Sequence, residues 1–292
     1  MRSKKRFKKP GQSCIMSPLL RSQEAKPVKI VVPIKQVPET SSVKMDPTTG
    51  TMIREGVEAI INPLDLYGIE LAIQLREKFG GEITALSMGP PKAEQALREA
   101  VAMGCDAGIL LTDKAFAGAD TWATSYTLSR AIRRLGQFDL IICGERATDG
   151  DTGQVGPAIA SFLDLPVATY VSKFDGLDDG AVRVHRLVED GYEVLRLRLP
   201  CVLTVVKEAS NPRLPTLRGK QKARKTEIPI WTSANIEAEA GCIGLGGSPT
   251  RVVRIHKPKL ARECRKVVAR DEESIGRAVD GLIELLESKR LI

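Results

Sequence analysis

Histidine is almost absent from this chain, which has only His185 and His256, and no two cysteines stand at C-x-x-C spacing. A His-based catalytic triad or a multi-histidine metal centre is therefore all but excluded. The six cysteines (Cys14, Cys105, Cys143, Cys201, Cys242, Cys264) are scattered, which argues against a zinc site and against a disulfide framework. Cys143 and Cys201 lie inside apolar runs and read as small core residues. No stretch approaches the ~20 apolar residues that a membrane span needs. The early run Cys14-Ile-Met-Ser-Pro-Leu-Leu20 is broken by Ser and Pro and no small-residue cleavage pattern follows, so it is a poor secretory signal. A soluble, cytoplasmic protein is expected.

A basic excess is present, but it is local. The formal net charge is +8, yet residues 1–27 hold eight of the 44 Lys and Arg and only one of the 36 acids. The remaining body is close to neutral, so the charge does not argue for a nucleic-acid surface, and a solvated, disordered tail over 1–27 is expected. At 292 residues, 42% hydrophobic and 27% charged, the rest is long enough for one large domain, or one domain with an arm.

From Val28 onward short apolar runs alternate with amphipathic stretches, the pattern of an α/β fold with a parallel sheet covered by helices. Strands are predicted at Lys29–Ile34, Ile83–Ser87, Gly108–Leu111 and Leu140–Cys143. Helices are predicted from Asp65, as cap, to about Phe79, over Lys92–Met103, over Thr121–Leu135 behind Asp120, and over Gln154–Leu163. After Pro166 the period changes to two. Val167–Phe174, Ala181–Val188 and Tyr192–Leu199 read as an antiparallel meander with Asp-Gly turns, followed by a strand at Cys201–Val206. Residues 207–228 read as an exposed basic loop, and a final amphipathic helix is predicted over Glu272–Ser288.

The segment Gly144-Glu145-Arg146-Ala147-Thr148-Asp149-Gly150-Asp151-Thr152-Gly153-Gln154-Val155 leaves the strand ending at Cys143 and runs into a helix. A strand end, a Gly-rich turn and a helix N-terminus together offer free N–H groups and a positive dipole end to a phosphate. Asp149 and Asp151 would repel that phosphate if aimed at it, so they are assigned to holding the turn and capping the helix. Taken alone, an ordinary strand-to-helix turn fits the same residues.

Several separated motifs together resemble the beta subunit of an electron transfer flavoprotein, over roughly Val28 to Ile292. They are Pro33-Ile-Lys-Gln-Val-Pro38, Asn62-Pro63-Leu64-Asp65, Ser87-Met88-Gly-Pro90, Ala102-Met-Gly-Cys-Asp106, and above all Val184-His-Arg-Leu-Val-Glu-Asp-Gly-Tyr-Glu-Val-Leu195 with Pro200-Cys-Val-Leu-Thr204. The resemblance implies a three-layer α/β sandwich of the adenine-nucleotide-binding, Rossmann-like kind. It also implies a domain over 28–230 and a C-terminal arm and helix over 231–292 that pack on an alpha subunit in a heterodimer.

Within the family, the housekeeping type carries Asp-Asp-Asp-x-Asn-Gln-Thr at the Gly-rich turn and holds AMP. The electron-bifurcating type carries Asp-Gly-Asp-Thr-Ala-Gln-Val-Gly-Pro and holds a second FAD. This chain is similar to the latter and departs from it at Gly153. Gly150 in place of a carboxylate removes bulk and negative charge, which suits a diphosphate. Ala119-Asp-Thr-Trp-Ala-Thr124 also resembles the bifurcating type, with Trp122 where a smaller residue is expected.

By resemblance, Pro33, Asn62, Pro63, Leu64, Asp65, Met88 and Gly144 to Val155 surround the nucleotide, with Thr121 and Thr124 as further contacts. NADH is the implied electron donor. A low-potential acceptor such as ferredoxin or flavodoxin is implied, together with an acyl-CoA or related dehydrogenase that docks on Pro212, Arg213, Leu214, Pro215, Thr216 and Leu217. Leu214 stands there where an aromatic is usual. Three alternatives stay open: a conventional carrier with AMP, a free-standing adenine-nucleotide-binding regulator of the stress-protein kind, and a nucleotide-activating enzyme, whose Ser-Gly-Gly-x-Asp-Ser loop is missing from this sequence.

Overall fold

A computed structural model describes residues 27–39, 44–45, 52–53, 59–253 and 266–292. The basic tail and the disorder expected of it fall outside these residues. The chain forms two compact units, Met1–Val253 and Arg254–Ile292.

The first unit is built on a nine-stranded sheet. Its elements are β1 (Val28–Pro33), the short strands β2 (Gln36–Pro38), β3 (Lys44–Met45), β4 (Met52–Ile53) and β5 (Ala59–Ile61), α1 (Asp65–Phe79), β6 (Gly81–Met88), α2 (Glu94–Met103), β7 (Ala107–Leu111), α3 (Thr121–Leu135), β8 (Leu140–Gly144) and α4 (Val155–Leu163). They continue with β9 (Val167–Asp178), β10 (Ala181–Val188), β11 (Gly191–Arg198), β12 (Cys201–Val205), α5 (Leu217–Lys225) and β13 (Ile230–Trp231). The sheet order is β11-β10-β9-β12-β8-β1-β6-β7-β13, parallel from β9 through to β13, with β10 and β11 turned back antiparallel. This is the α/β sandwich expected.

The parallel strands are apolar on both faces because helices cover both. On one side α1, α2 and α5 close over Ile30, Ile83, Leu110, Leu140 and Leu203. On the other, α3 and α4 close over Val31, Leu86, Ile109, Ile141 and Val202. Each such fully buried side chain contributes about 1.5–3 kcal/mol of transfer free energy. Chain direction sets the position of the site. From β1 the chain builds outward to β6 and β7 and then crosses back to β8 on the other flank of β1, so the strand order reverses beside β1. An open α/β sheet has its crevice beyond the strand carboxyl ends at such a point.

Three local expectations are corrected, and one strand was missed. Asp65 does not cap α1: Leu64 is the cap residue with no side-chain bond, and the Asp65 carboxylate is used elsewhere. Asp120, in contrast, caps α3 by accepting Ala123 N–H at 3.0 Å. The Asp175-Gly176 turn is absent, since β9 runs on to Asp178 and takes up the mismatch as register shifts opposite Arg183–Arg186. The loop 207–228 contains α5, whose N-cap Thr216 accepts Gly219 N–H at 2.9 Å; a predominantly charged sequence hid a helix that needs only one capped turn and Ala223 facing inward. Strand β13, of two residues, was too short to read.

The second unit carries α6 (Glu272–Ser288) at its predicted bounds, with Asp271 and Ser274 forming a reciprocal capping box. Ile275, Val279, Leu282 and Ile283 form an apolar stripe that is 42–54% exposed. No helix among the described residues is long and apolar enough to cross a membrane.

Gly156 opens α4 against β12, where an added Cβ would overlap Thr204 Cγ2. Gly156→Ala is expected to cost about 1–3 kcal/mol in urea unfolding. Thr204→Ser removes that methyl but keeps the hydroxyl that accepts Tyr170 N–H at 3.2 Å, so the double variant should recover most of the loss.

Candidate functional site

Beyond the carboxyl ends of β1, β6, β7 and β8 lies a cleft of about 980 Å³. Its walls are Pro33–Lys35 after β1, Met88–Pro91 after β6, Thr112–Thr121 after β7, and Cys143–Gly156 after β8, with Asp65, Thr124 and Leu128 from the helices. Pro33, Asp65, Met88, Thr121, Thr124 and most of Gly144–Val155, all picked out from sequence, line this one space. Thr148 and Asp149 do not line it, nor do Asn62, Pro63 and Leu64.

Asn62 acts from behind. Fully buried, it donates from Nδ2 to Arg146 O at 2.9 Å and accepts Thr148 N–H at 3.1 Å, so it fixes the loop after β8. Its own N–H donates to Lys35 O at 2.8 Å and its carbonyl accepts Asp65 N–H at 2.9 Å. Asp65 is buried at the same junction, where its carboxylate accepts the N–H of Lys35 at 2.8 Å and lies against Gly144. Burial raises the Asp65 pKa to about 7, against the lowering effect of its N–H donors and of the Lys35 charge. No side chain fits at Gly144, because a Cβ there would meet Asp65 Oδ1 at 2.5 Å and Leu64 C at 2.8 Å.

The turn itself departs from the sequence reading. Neither Asp149 nor Asp151 caps α4, whose cap residue Gln154 makes no side-chain bond, so its opening N–H groups have no side-chain partner. Instead Asp149 Oδ1 accepts Lys35 Nζ at 2.7 Å, and Arg146 Nε lies 3.2 Å from Asp151 Oδ1 and 3.3 Å from Glu145 Oε1. Both carboxylates are thus taken up by ion pairs across the turn and not by the helix end. Asp151 and Gly153 take left-handed φ of 52° and 62°, and a glycine costs least there. Gly150 has no such φ, and a Cβ on it would meet nothing within 4 Å. Its small size leaves open space beside the turn.

The wall at Thr112–Asp120 was not read from sequence, although its position just past β7 was the available signal. Two of its acids are used internally. Asp113 accepts Ser233 Oγ–H at 2.6 Å and Ala115 N–H at 3.0 Å, and these bonds hold its pKa down. At Asp120, burial is outweighed by bonds from Ala123 N–H and from Thr250 O–H at 2.7 Å, with the same result. Trp122 points away from the cleft. It stacks on Tyr126, meets Phe162 edge-on, and borders a hollow of about 410 Å³ with Gly241 and Gly246–Pro249.

The segment 210–217 packs on α1. Ser210 Oγ donates to Tyr67 O at 2.8 Å, and the Arg213 guanidinium donates to both oxygens of Glu70 at 2.9 and 3.0 Å and to Glu77 Oε2 at 3.0 Å. Burial pushes Glu70 up, but the bonds from Arg213 and Gln74 outweigh it and leave the pKa lowered. Arg213 thus faces inward, while Leu214 and Leu217 are 86% and 83% exposed.

Residues 49–235 match the electron transfer flavoprotein domain family. The chain is 47% identical to an electron transfer flavoprotein subunit beta of Thermoanaerobacterium thermosaccharolyticum, over 91% of this chain and 100% of that protein. It is 43% identical to the caffeyl-CoA reductase-Etf complex subunit CarD of Acetobacterium woodii, over 91% and 100%. Identity to protein FixA of Azorhizobium caulinodans is also 43%, over 80% and 86%.

Two predictions follow from the bonds at α1. Because Asp65 is held protonated in the fold up to about pH 7 and ionises near 4 when unfolded, the folded state binds the extra proton between these values. Stability from this group is therefore present at low pH and lost as pH rises through about 7. Wild type should lose on the order of 2–4 kcal/mol relative to Asp65→Asn between pH 4 and 8, measured by denaturant unfolding; a pH-independent difference would mean that Asp65 is ionised throughout. Arg213→Ala leaves the buried Glu70 carboxylate unpaired and should cost about 3 kcal/mol near neutral pH. That cost should shrink at acid pH, where Glu70 is neutral, and Arg213→Lys should recover part of it.

Proposed function

The chain belongs to the electron transfer flavoprotein family as a beta subunit, and from that membership we propose that it pairs with an alpha subunit and holds FAD in the cleft beyond β1, β6, β7 and β8. The observation that carries the FAD reading is the open space at Gly150 beside uncapped N–H groups of α4, with both neighbouring carboxylates drawn into ion pairs. A diphosphate needs room, donors and the absence of a facing carboxylate, and this turn meets those three requirements. A cleft of about 980 Å³ has the size for a dinucleotide.

A bound flavin would supply the redox chemistry, with NADH as the proposed electron donor and a high-potential and a low-potential compound as the proposed acceptors. The chain's own part is to bind and orient. Asn62 and Asp65 hold the two cleft walls at a fixed spacing, the N–H groups of the turn and of α4 face the phosphates, and Met88, Pro90 and Leu128 give apolar walls that exclude water. Exposed Leu214 and Leu217, on a segment braced by Arg213, support docking of an acyl-CoA or related dehydrogenase. The name of the Acetobacterium woodii relative, a subunit of a caffeyl-CoA reductase complex, supports a partner that acts on a CoA thioester. Ferredoxin or flavodoxin is the proposed low-potential acceptor. The exposed apolar stripe of α6 supports a helix that lies on the alpha subunit, and the lack of a membrane-spanning helix among the described residues is compatible with a cytoplasmic complex.

Ligands released by denaturation from the co-expressed heterodimer should amount to about two FAD and no AMP. One FAD with one AMP would overturn the bifurcating assignment and leave a conventional carrier. Gly150→Asp, whose side chain enters space the fold itself leaves empty, should lower FAD content by about one equivalent with little change in melting temperature. Full flavin content and full reduction by NADH in that variant would refute the account of the turn.

A further inference from the structure

Lys35 was not among the site residues read from sequence, yet it stands at the mouth of the cleft. Both of its backbone groups are immobilised, the N–H on Asp65 at 2.8 Å and the carbonyl by Asn62 N–H at 2.8 Å. Its ammonium is not so fixed. It reaches to Asp149 Oδ1 at 2.7 Å, with side-chain exposure of 47% for the lysine and 28% for the aspartate. A half-exposed pair of this kind contributes little to stability. Asp149 itself does not line the cleft, whereas Lys35 and Gly150 do.

The charges around Lys35 are otherwise spoken for. Asp65 is mainly neutral below about pH 7, Asp113 and Asp120 are satisfied by hydroxyl and N–H donors, and Asp151 and Glu145 are paired with Arg146. A flexible cation rooted on a rigid strand end is therefore parked against one weakly bound carboxylate, next to the open space at Gly150. A diphosphate carries more negative charge and more acceptor oxygens than one carboxylate, and it competes for the ammonium.

We infer that Lys35 is a diphosphate-binding residue of the cleft, held in reserve by Asp149, and that the ligand's phosphates and the Asp149 carboxylate compete for the same ammonium. This rests on the nucleotide reading of the cleft given above. It assigns Asp149 a role opposite to that of a simple turn-holding residue, because removing its charge strengthens ligand binding.

The test uses the full-length chain as wild type, Lys35→Met, Asp149→Asn and the double variant, with folding checked by circular dichroism. Each is titrated calorimetrically with ADP, AMP and adenosine. Lys35→Met should weaken ADP by about tenfold or more and adenosine little. Asp149→Asn should tighten ADP roughly two- to fivefold, and that gain should vanish when Lys35 is Met. FAD retained through desalting by the same four chains, co-purified with their alpha subunit, should follow the same order and serves as readout if a variant is unstable alone. Equal loss of ADP and adenosine in Asp149→Asn, or an unchanged ADP-to-adenosine ratio in Lys35→Met, would overturn the inference while leaving the nucleotide site intact. Failure of wild type to bind any of the three would overturn the nucleotide reading and the inference with it.

Discussion

Two buried polar side chains at the start of α1 hold the cleft together. Asn62 and Asp65 receive or donate five hydrogen bonds that join the end of β1 at Lys35 to the loop beyond β8 at Arg146 and Thr148. The ends of neighbouring parallel strands would otherwise splay, since no ladder bonds remain past the last paired residue. In a dry junction these bonds are strong, and any one left unmade would expose a buried donor or acceptor at a cost of about 1–3 kcal/mol. That penalty makes the geometry of the turn a consequence of the fold and not of the turn residues alone.

The same helix also serves the opposite requirement, exposure. Glu70, little more than a turn beyond Asp65, and Glu77, two turns further on, take up Arg213, so the segment carrying Leu214 and Leu217 is braced on α1 while its apolar side chains stay in water. A buried carboxylate is costly on its own and becomes tolerable only with a guanidinium that bonds both oxygens. Cleft and exposed loop thus share one rigid element. Its two buried carboxylates have opposite electrostatic fates: burial pushes Asp65 up against its N–H donors and the nearby Lys35 charge, whereas the facing Arg213 holds Glu70 down.

Much of this was legible beforehand. The helices α1, α3 and α6 are long enough for their period to show, and Asp120 sits where a cap belongs because a cap is a local interaction, satisfied within three residues. The parallel strands announced themselves as short apolar runs. What could not be read was every interaction with a distant partner. Asp65 looks like a cap and is instead a bridge from the end of β1 to the start of α1, Asp149 looks like a turn residue and pairs with a lysine 114 positions earlier, and Arg213, read as part of an exposed docking loop, is an anchor on α1. The basic stretch after Thr216 looks like a loop because its one buried side chain, Ala223, carries no visible pattern.

Period, composition and motif order were therefore enough for the α/β class, for the family, and for picking out the Gly-rich segment that lines the cleft after β8, because each of these depends on residues close together in the chain or on their order along it. Which carboxylates face the cleft and which are neutralised, which lysine reaches its mouth, and which loop residue points inward were settled by packing. A charge takes the cheapest partner that the folded chain brings within about 3 Å. That partner is set by strand order and helix placement and has no trace in the neighbouring sequence.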